Sequence, residues 1–436
     1  MRFAVLAGAG VGIVYVLSPL AIWFGVAAFF IARWAERGLS SEERRWVRTM
    51  LVTAIVLRVL AVAALFSITN HAAKPFGIFF GDEEFFIRRS MSLRNLALGL
   101  PIHSADLIYA FDEVGQTSYL YVLAWLQVLI GPAPYGVHLV GAALYLAAAV
   151  LLFRMAYRSF GHVPAIAGLA TILFLPTLFA WSVSALKESA FLLLTAGAIA
   201  AAEAILRSRT YTRRTTAALA LIVLVAALES LRRAGAVVTA TSVAIGFGMA
   251  AILTRPRALI AAAILTPIVL GAALSRPVVQ VQAYRVVQRA AEQQQGHIHT
   301  AGYAYKTLDD RFYYSVRDID NMRFFEAARF AIRSVVSYIV VPLPWNVESR
   351  STLAYLPEQV VWYVMVALLP VGFVCALRRD ALLASMLLAF ALVSAALIAV
   401  VSGNIGTLVR HRGMVIPLIV WLSAVGAFEL MRTQPS

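Results

Sequence analysis

The apolar residues of this chain come in blocks of about twenty, separated by short polar segments rich in arginine. A helix of that length crosses about 30 Å of hydrocarbon, where every backbone group must be hydrogen-bonded within the protein. The blocks lack the apolar–polar alternation of barrel strands, so each predicts a membrane-spanning helix. The predicted spans are 3–32, 49–69, 136–156, 163–181, 188–206, 215–231, 235–254, 258–275, 352–377, 381–400 and 414–431.

These spans predict an all-α fold, a polytopic transmembrane helical bundle of about 11–12 helices with external juxtamembrane helices. Their spacing divides the chain into four parts. An N-terminal extra helix and cytoplasmic loop (1–48) precede a transmembrane module (49–276) that includes a first external loop (70–135). A long external loop (277–351) and C-terminal transmembrane helices (352–436) follow.

The apolar segment 117–131 ends at Gly131-Pro132 and, at about 22 Å as a helix, is too short to span. If it lies along the external surface, sixteen arginines fall on one side, as the positive-inside rule requires of the cytoplasm. If it crossed, the first five would be separated from the rest. The arginines are Arg33, Arg37, Arg44, Arg45, Arg48, Arg154, Arg158, Arg207, Arg209, Arg213, Arg214, Arg255, Arg257, Arg378, Arg379 and Arg432.

Composition supports a membrane protein and excludes several other classes. Of 436 residues 61% are hydrophobic and 14% are charged, and a soluble chain needs about a quarter charged residues. The net charge of +15 follows from the arginine loops, so nucleic acid is not an expected partner. The single cysteine, Cys375, excludes intramolecular disulfides. The abundance of alanine and arginine is typical of a bacterial inner membrane protein.

Three acids, Asp82-Glu83-Glu84, open the first external loop, where topology does not require acids. They favour a general base at the membrane surface, and Asp82 is the first candidate, with Glu83 and Glu84 as rivals. The same carboxylates could instead hold a divalent metal. A third reading is a solvated loop whose acids stabilise the N-terminus of a helix over 83–98.

Two further groups of charges lie at external span ends. Lys187-Glu188 sits between two spans, where a charged pair is costly unless it has a function or neutralises itself. Arg410-His411-Arg412 opposes the positive-inside rule, and two forked guanidinium groups can clamp a phosphate. Gly403 would let the backbone approach such a ligand closely. The simpler reading of these arginines is interfacial snorkelling.

Two other polar features have expected structural partners. Arg58, in the middle of a span, is expected to face the bundle interior and a carboxylate. His297-x-His299 is a weak metal signal, and a solvent-exposed loop is the preferred interpretation. No metal site is therefore predicted from the histidines.

The order of these elements resembles the GT-C superfamily of membrane glycosyltransferases, which use polyprenyl-phosphate-linked sugars. The resemblance rests on an early span with an arginine (Arg58), an external acid–aromatic motif starting at Asp82, the apolar surface helix 117–131 and an acidic turn at Glu188. It covers 49–206 well, and 402–431 more loosely. Glu188 and Thr117 stand where the family usually has Asp and Pro, and the helix before residue 33 is atypical.

The resemblance implies catalytic roles for Asp82, Glu83 and Glu188, and a donor-phosphate site at Lys187, Arg410, Arg412 and Arg58. The implied partners are a polyprenyl-phosphate sugar donor, the lipid bilayer and a glycan, lipid or protein acceptor on the periplasmic side. The Lys-Glu turn and the Arg-His-Arg segment also resemble O-antigen-type polysaccharide polymerases, which remain an alternative. A transporter or flippase is disfavoured, because the two halves of the sequence show no internal repeats and the candidate polar residues cluster at one face of the membrane.

Overall fold

The structure is a computed structural model of the chain, and it describes residues 5, 8, 12, 18–73, 76–112, 115–132, 134–298, 304–314, 316–345 and 350–433. These residues form nineteen α-helices and one 3-10 helix. The extended pairing among them is an isolated bridge between Ala304 and Asn404. The predicted all-α fold is confirmed.

The chain divides into two compact units, unit 1 (Met1–Thr239) and unit 2 (Ala240–Ser436). The boundary between the two units lies inside the helix Gly235–Leu253. The sequence pattern instead predicts that the transmembrane module ends at residue 276. The helices of unit 1 are α1 (Pro19–Ala35), α2 (Ser41–Ile68), α3 (Gly81–Ala97), α4 (Ser104–Phe111), α5 (Ser118–Ile130), α6 (Pro134–Phe160), α7 (His162–Phe174), α8 (Pro176–Ser182), α9 (Glu188–Arg207), α10 (Tyr211–Leu231) and the first turn of α11 (Gly235–Leu253).

Unit 2 continues α11 and adds the remaining helices. They are α12 (Pro256–Leu274), α13 (Pro277–Ile298), the 3-10 helix Asp310–Tyr313, α14 (Val316–Asp320), α15 (Phe324–Val340), α16 (Arg350–Arg379), α17 (Ala381–Val401), α18 (Ile405–Arg412) and α19 (Ile416–Thr433).

Eight of the described helices are long and apolar enough to cross a membrane, which makes this a multi-pass membrane protein. They are α2, α6, α9, α10, α11, α12, α16 and α17. Two further pairs, α7–α8 and α18–α19, would each pass as one span but are bent by 63°. Pro176 begins α8 directly after the first bend, because proline has no N–H to continue the ladder of α7. Of the predicted span 3–32, residues 19–32 lie in α1, and most of 3–17 lies outside the described residues.

The arginine-rich loops of unit 1 come together at one end of its helices. Arg154 donates to the carbonyl oxygens of Ala35 (3.4 Å) and Arg37, and a single cavity is lined by both Arg158 and Arg207. This end is called the Arg207 end. The loops that meet here would lie on opposite sides of the membrane if α5 crossed it. With 13 residues, α5 is only about 20 Å long. The other end, where α9 begins and α10 ends, is the Lys187 end.

The segment predicted as a long loop in unit 2 is largely helical and has a core of its own. Side chains of α13, the 3-10 helix, α14 and α15 bury one another, and the aromatic members of this core are Phe312, Tyr313 and Phe330. Elsewhere in the unit, α16 and α19 approach closely through Gly372 and Gly426: a Cβ at Gly372 would lie 1.9 Å from the Leu422 carbonyl oxygen. Small residues at helix contacts are typical of membrane bundles.

Candidate functional site

The three acids of the first loop take different positions at the N-terminus of α3. Asp82 and Glu84 are exposed, whereas Glu83 is fully buried. One Glu83 oxygen accepts the backbone N–H of Phe80 at 3.0 Å, and the other lies 3.4 Å from Nδ1 of His138. Glu83 thus closes the start of the helix and fixes it against α6, a role for which exposure is not needed.

Asp82 lies one helical turn before Phe85, on the same face of α3. The ring of Phe85 lies against Gly115: a Cβ there would come within 2.9 Å of it, and the φ of +72° also favours glycine. Gly115 lines the cavity described next, so Phe85 connects the first turns of α3, which carry the exposed Asp82, with one residue of the cavity lining.

A cavity of about 520 Å³ opens at the Lys187 end of unit 1. It lies between the segment before α5, the start of α9 and the turn from α10 to α11. Among the described residues that line it, three are cationic (Lys187, Arg232 and Arg233) and one, Glu229, carries a carboxylate. An excess of positive charge at the end of two candidate spans is suited to an anionic group at the membrane boundary.

Tight backbone turns hold these cations in place. The ammonium group of Lys187 donates to the Leu231 carbonyl oxygen at 3.0 Å. In the turn from α10 to α11, Ala234 has a φ of 69°. This left-handed conformation is energetically unfavourable for a residue that carries a Cβ. Glu229 accepts the N–H of Ala236 at 2.9 Å, so it stabilises the start of α11. The arginines therefore project from a constrained turn.

Glu188 lies in the first turn of α9, close to the buried phenol of Tyr119 on α5. Burial raises the pKa of Tyr119, and the charges of Glu188 and Glu83 raise it further. The Tyr119 hydroxyl donates to the Ala185 carbonyl oxygen at 3.3 Å. A buried, neutral phenol thus lies within the electrostatic influence of both Glu83 and Glu188.

Arg58 is completely buried in unit 1, but its partners are not the expected carboxylate. It donates to the Ser182 hydroxyl (2.9 Å) and to the carbonyl oxygens of Leu173 (3.2 Å) and Ala54 (3.0 Å). The rings of Tyr145 and Phe179 also face the guanidinium, with centroids at 5.4 and 5.0 Å. Arg58 connects α2 with the bend between α7 and α8, where backbone carbonyl groups have no N–H partner within the helix. Its expected phosphate role has no support in this arrangement.

Arg412 is also completely buried, within unit 2. Its guanidinium donates to the carbonyl oxygens of Tyr338 and Val341 and to Oε1 of Gln359 (2.8 Å), and it lies 5.0 Å from the Trp362 ring centroid. These donors hold α15, α16 and α18 together, so the expected phosphate clamp of Arg410 with Arg412 is not formed. Arg410 itself is half-buried, and its role stays a prediction.

Gly403 and His297 have structural partners as well. A Cβ at Gly403 would lie 2.9 Å from the backbone oxygen of Gln294. The missing side chain at Gly403 therefore makes room for α13 rather than for a ligand. The Gly403 N–H donates to Nδ1 of His297 at 3.2 Å, and burial lowers the pKa of this imidazole, which favours the neutral, accepting form. The second histidine of the pair, His299, lies outside the described residues.

We expect Arg412→Ala to lower the stability of the protein by about 3 kcal/mol or more, because several buried acceptors lose their donor. Thermal unfolding in detergent measures this effect. Arg276→Ala, which removes an exposed arginine of the same unit, is the matched control and should leave the melting temperature near the wild-type value. Equal melting temperatures for the two variants would contradict a structural role for Arg412.

The structure thus brings Asp82, Glu83, Lys187 and Glu188 together at one end of unit 1. Arg410 and Arg412 belong to unit 2, and their convergence with Lys187 stays a prediction. The sequence analysis missed Arg232 and Arg233 as site residues, although an Arg pair at an external span end carries the same signal as Arg410. No family model, curated protein or solved structure matches the chain.

Proposed function

We propose that this chain is an integral membrane glycosyltransferase of the GT-C type. It transfers a sugar from a polyprenyl-phosphate donor to a glycan, lipid or protein acceptor. The observation that supports the proposal most is the cation-lined cavity at the Lys187 end, with Lys187, Arg232 and Arg233 around it. A lipid-linked donor needs a phosphate site at the end of membrane spans, because its chain stays in the bilayer.

In the proposed reaction the acceptor hydroxyl attacks the anomeric carbon of the donor sugar. The bond between that carbon and the phosphate oxygen breaks, and polyprenyl phosphate leaves with its electron pair and an additional negative charge. Lys187, Arg232 and Arg233 stabilise this charge, and Asp82 takes the proton of the acceptor hydroxyl. Among the described residues no group of three metal-ligating side chains comes together.

Glu83 and Glu188 have supporting roles in this proposal. Glu83 fixes the first turn of α3, which carries Asp82, through Phe80 and His138. Glu188 is placed beside the cavity by its neighbour Lys187, where it can orient the ammonium group or an acceptor hydroxyl. The proposal thus keeps both residues near the reaction and gives the proton transfer to the exposed acid.

The proposed location is a bacterial inner membrane, with the Lys187 end facing the periplasm. The arginine loops gathered at the Arg207 end support this orientation through the positive-inside rule. In a Cys375→Ser background, a membrane-impermeant maleimide added to spheroplasts should label Gln116→Cys and spare Thr210→Cys until the membrane is permeabilised. Labelling of Thr210→Cys in sealed spheroplasts would reverse the orientation.

Purified protein in nanodiscs with a synthetic polyprenyl-phosphate sugar tests the function itself. The expected result is release of free polyprenyl phosphate that depends on an acceptor. A nucleotide sugar should not replace the lipid donor. If proteoliposomes move the lipid or a solute across the bilayer while no sugar is transferred, the chain is a transporter and the proposal fails.

A further inference from the structure

A second cavity, of about 480 Å³, opens at the Arg207 end of unit 1. It lies where three candidate spans, α6, α9 and α10, end or begin. Its charged lining consists of four arginines and one carboxylate: Arg158, Arg207, Arg209, Arg213 and Glu203. The positive-inside rule explains why arginines occur in these loops, but it does not require them to surround a recess.

Two of the four arginines have structural explanations. Arg207 forms an ion pair with Glu203 at 2.7 Å, and its charge also suits the C-terminal end of α9. Arg158 lies in the last turn of α6, where its Nε donates to the Arg154 carbonyl oxygen at 3.1 Å. The single carboxylate of the cavity is therefore already engaged with Arg207.

Among the described lining residues, Glu203 is the one carboxylate against four guanidinium groups, so Arg209 and Arg213 add to a positive charge that the lining does not balance. Both are exposed, on the short loop and first turn that connect α9 with α10. The N-terminus of α10 adds its partial positive charge and its backbone N–H groups at the same place. Two parts of the chain, the end of α6 and the segment 207–213, thus present positive charge to one recess at the ends of spans.

We propose that this cavity binds the phosphate groups of an anionic phospholipid from the leaflet at the Arg207 end. Forked guanidinium groups match phosphate oxygens, and the recess lies where a lipid can keep its acyl chains beside α6, α9 and α10. Two phosphates suit the excess of positive charge better than one, so a diphosphate lipid is the expected occupant. The site lies at the opposite end of unit 1 from the proposed transfer site and does not depend on that activity.

The test measures lipid binding to the full chain by native mass spectrometry, with cardiolipin as the probe and phosphatidylcholine as the neutral reference. The wild-type protein should retain cardiolipin, and Arg209→Gln combined with Arg213→Gln should weaken this binding about tenfold or more. The matched control, Arg45→Gln combined with Arg257→Gln, removes the same charge from exposed arginines that do not line the cavity. It should bind cardiolipin like the wild type.

Equal loss in both double variants would overturn the proposal, since general surface charge would then explain the binding. Inorganic pyrophosphate separates the two sources of phosphate. If it displaces cardiolipin and binds the delipidated protein at similar concentrations, the site takes a soluble diphosphate and the lipid proposal is wrong. Retention of cardiolipin in the presence of excess pyrophosphate supports the lipid.

Discussion

Replacing Asp82 with Asn should lower the rate of sugar transfer by about 10²–10⁴-fold and leave the protein folded. Asp82 is exposed in the first turn of α3, one turn before Phe85, whose ring lies against Gly115 of the cavity lining. An amide cannot accept the proton of the acceptor hydroxyl, whereas it preserves the shape of the side chain. Turnover of the purified variant with a saturating lipid donor measures the effect, and its thermal unfolding shows that the fold is retained.

The neighbouring acids serve as controls for this prediction. Glu84 is exposed on the same turn, and Glu84→Gln should transfer sugar at nearly the wild-type rate. Glu83→Gln should instead lower the melting temperature, because it weakens the buried contacts with Phe80 and His138. A wild-type rate in Asp82→Asn together with a large loss in Glu84→Gln would assign the base to Glu84.

Removing the cations of the cavity should weaken donor binding in proportion to the charge removed. A hydrogen bond to a charged group contributes about 1.5–3 kcal/mol, so Arg233→Ala is expected to weaken polyprenyl phosphate binding at least tenfold. Combining it with Lys187→Ala should weaken binding further. Arg233→Lys should fall between wild type and Arg233→Ala, because an ammonium group lacks the forked donors.

Stability distinguishes a binding role from a structural one in these variants. Arg233 is exposed, so its truncation should leave thermal unfolding unchanged. Arg276→Ala, at another exposed position outside the cavity, is the control for net charge. If Arg276→Ala weakens donor binding as much as Arg233→Ala, the cavity is not the phosphate site.

The spans could be predicted from sequence because their lengths are set by the thickness of the hydrocarbon. The predicted spans 188–206 and 235–254 correspond to Glu188–Arg207 and Gly235–Leu253. The bend between α7 and α8 was not predicted, because both helices are apolar and hydropathy carries no information about the direction of a helix axis. The helices of the segment 277–351 were also missed, since helices packed against their own small core need no long apolar block.

Side-chain partners were harder to predict than helices. Arg58 was expected to find a carboxylate because it lies in mid-span, and Arg412 to find a phosphate because an external arginine at a span end opposes the positive-inside rule. Both instead donate to carbonyl oxygens at helix ends and bends and lie beside aromatic rings. Carbonyl groups leave no trace in a sequence, because every residue carries one.

The acids of α3 show where the sequence was sufficient and where it was not. The sequence favoured Asp82 as the base and kept Glu83 and Glu84 as rivals, because the exposure of each acid depends on the first residue of the helix. With the helix beginning at Gly81, Glu83 is buried and Asp82 remains exposed. His138, the partner of Glu83, is a single histidine near the start of a span, and nothing in the pattern marks it.

The central claim is that the cavity at the Lys187 end holds the phosphate of a polyprenyl-linked donor. Photo-crosslinking of the purified protein with a polyprenyl phosphate that carries a diazirine next to the phosphate tests it most directly, with mass spectrometry to locate the adducts. The account predicts adducts within 115–119 and 229–233, and their loss in the Lys187→Ala, Arg233→Ala double variant. Adducts that occur only outside these segments, or that persist in the double variant, would contradict it.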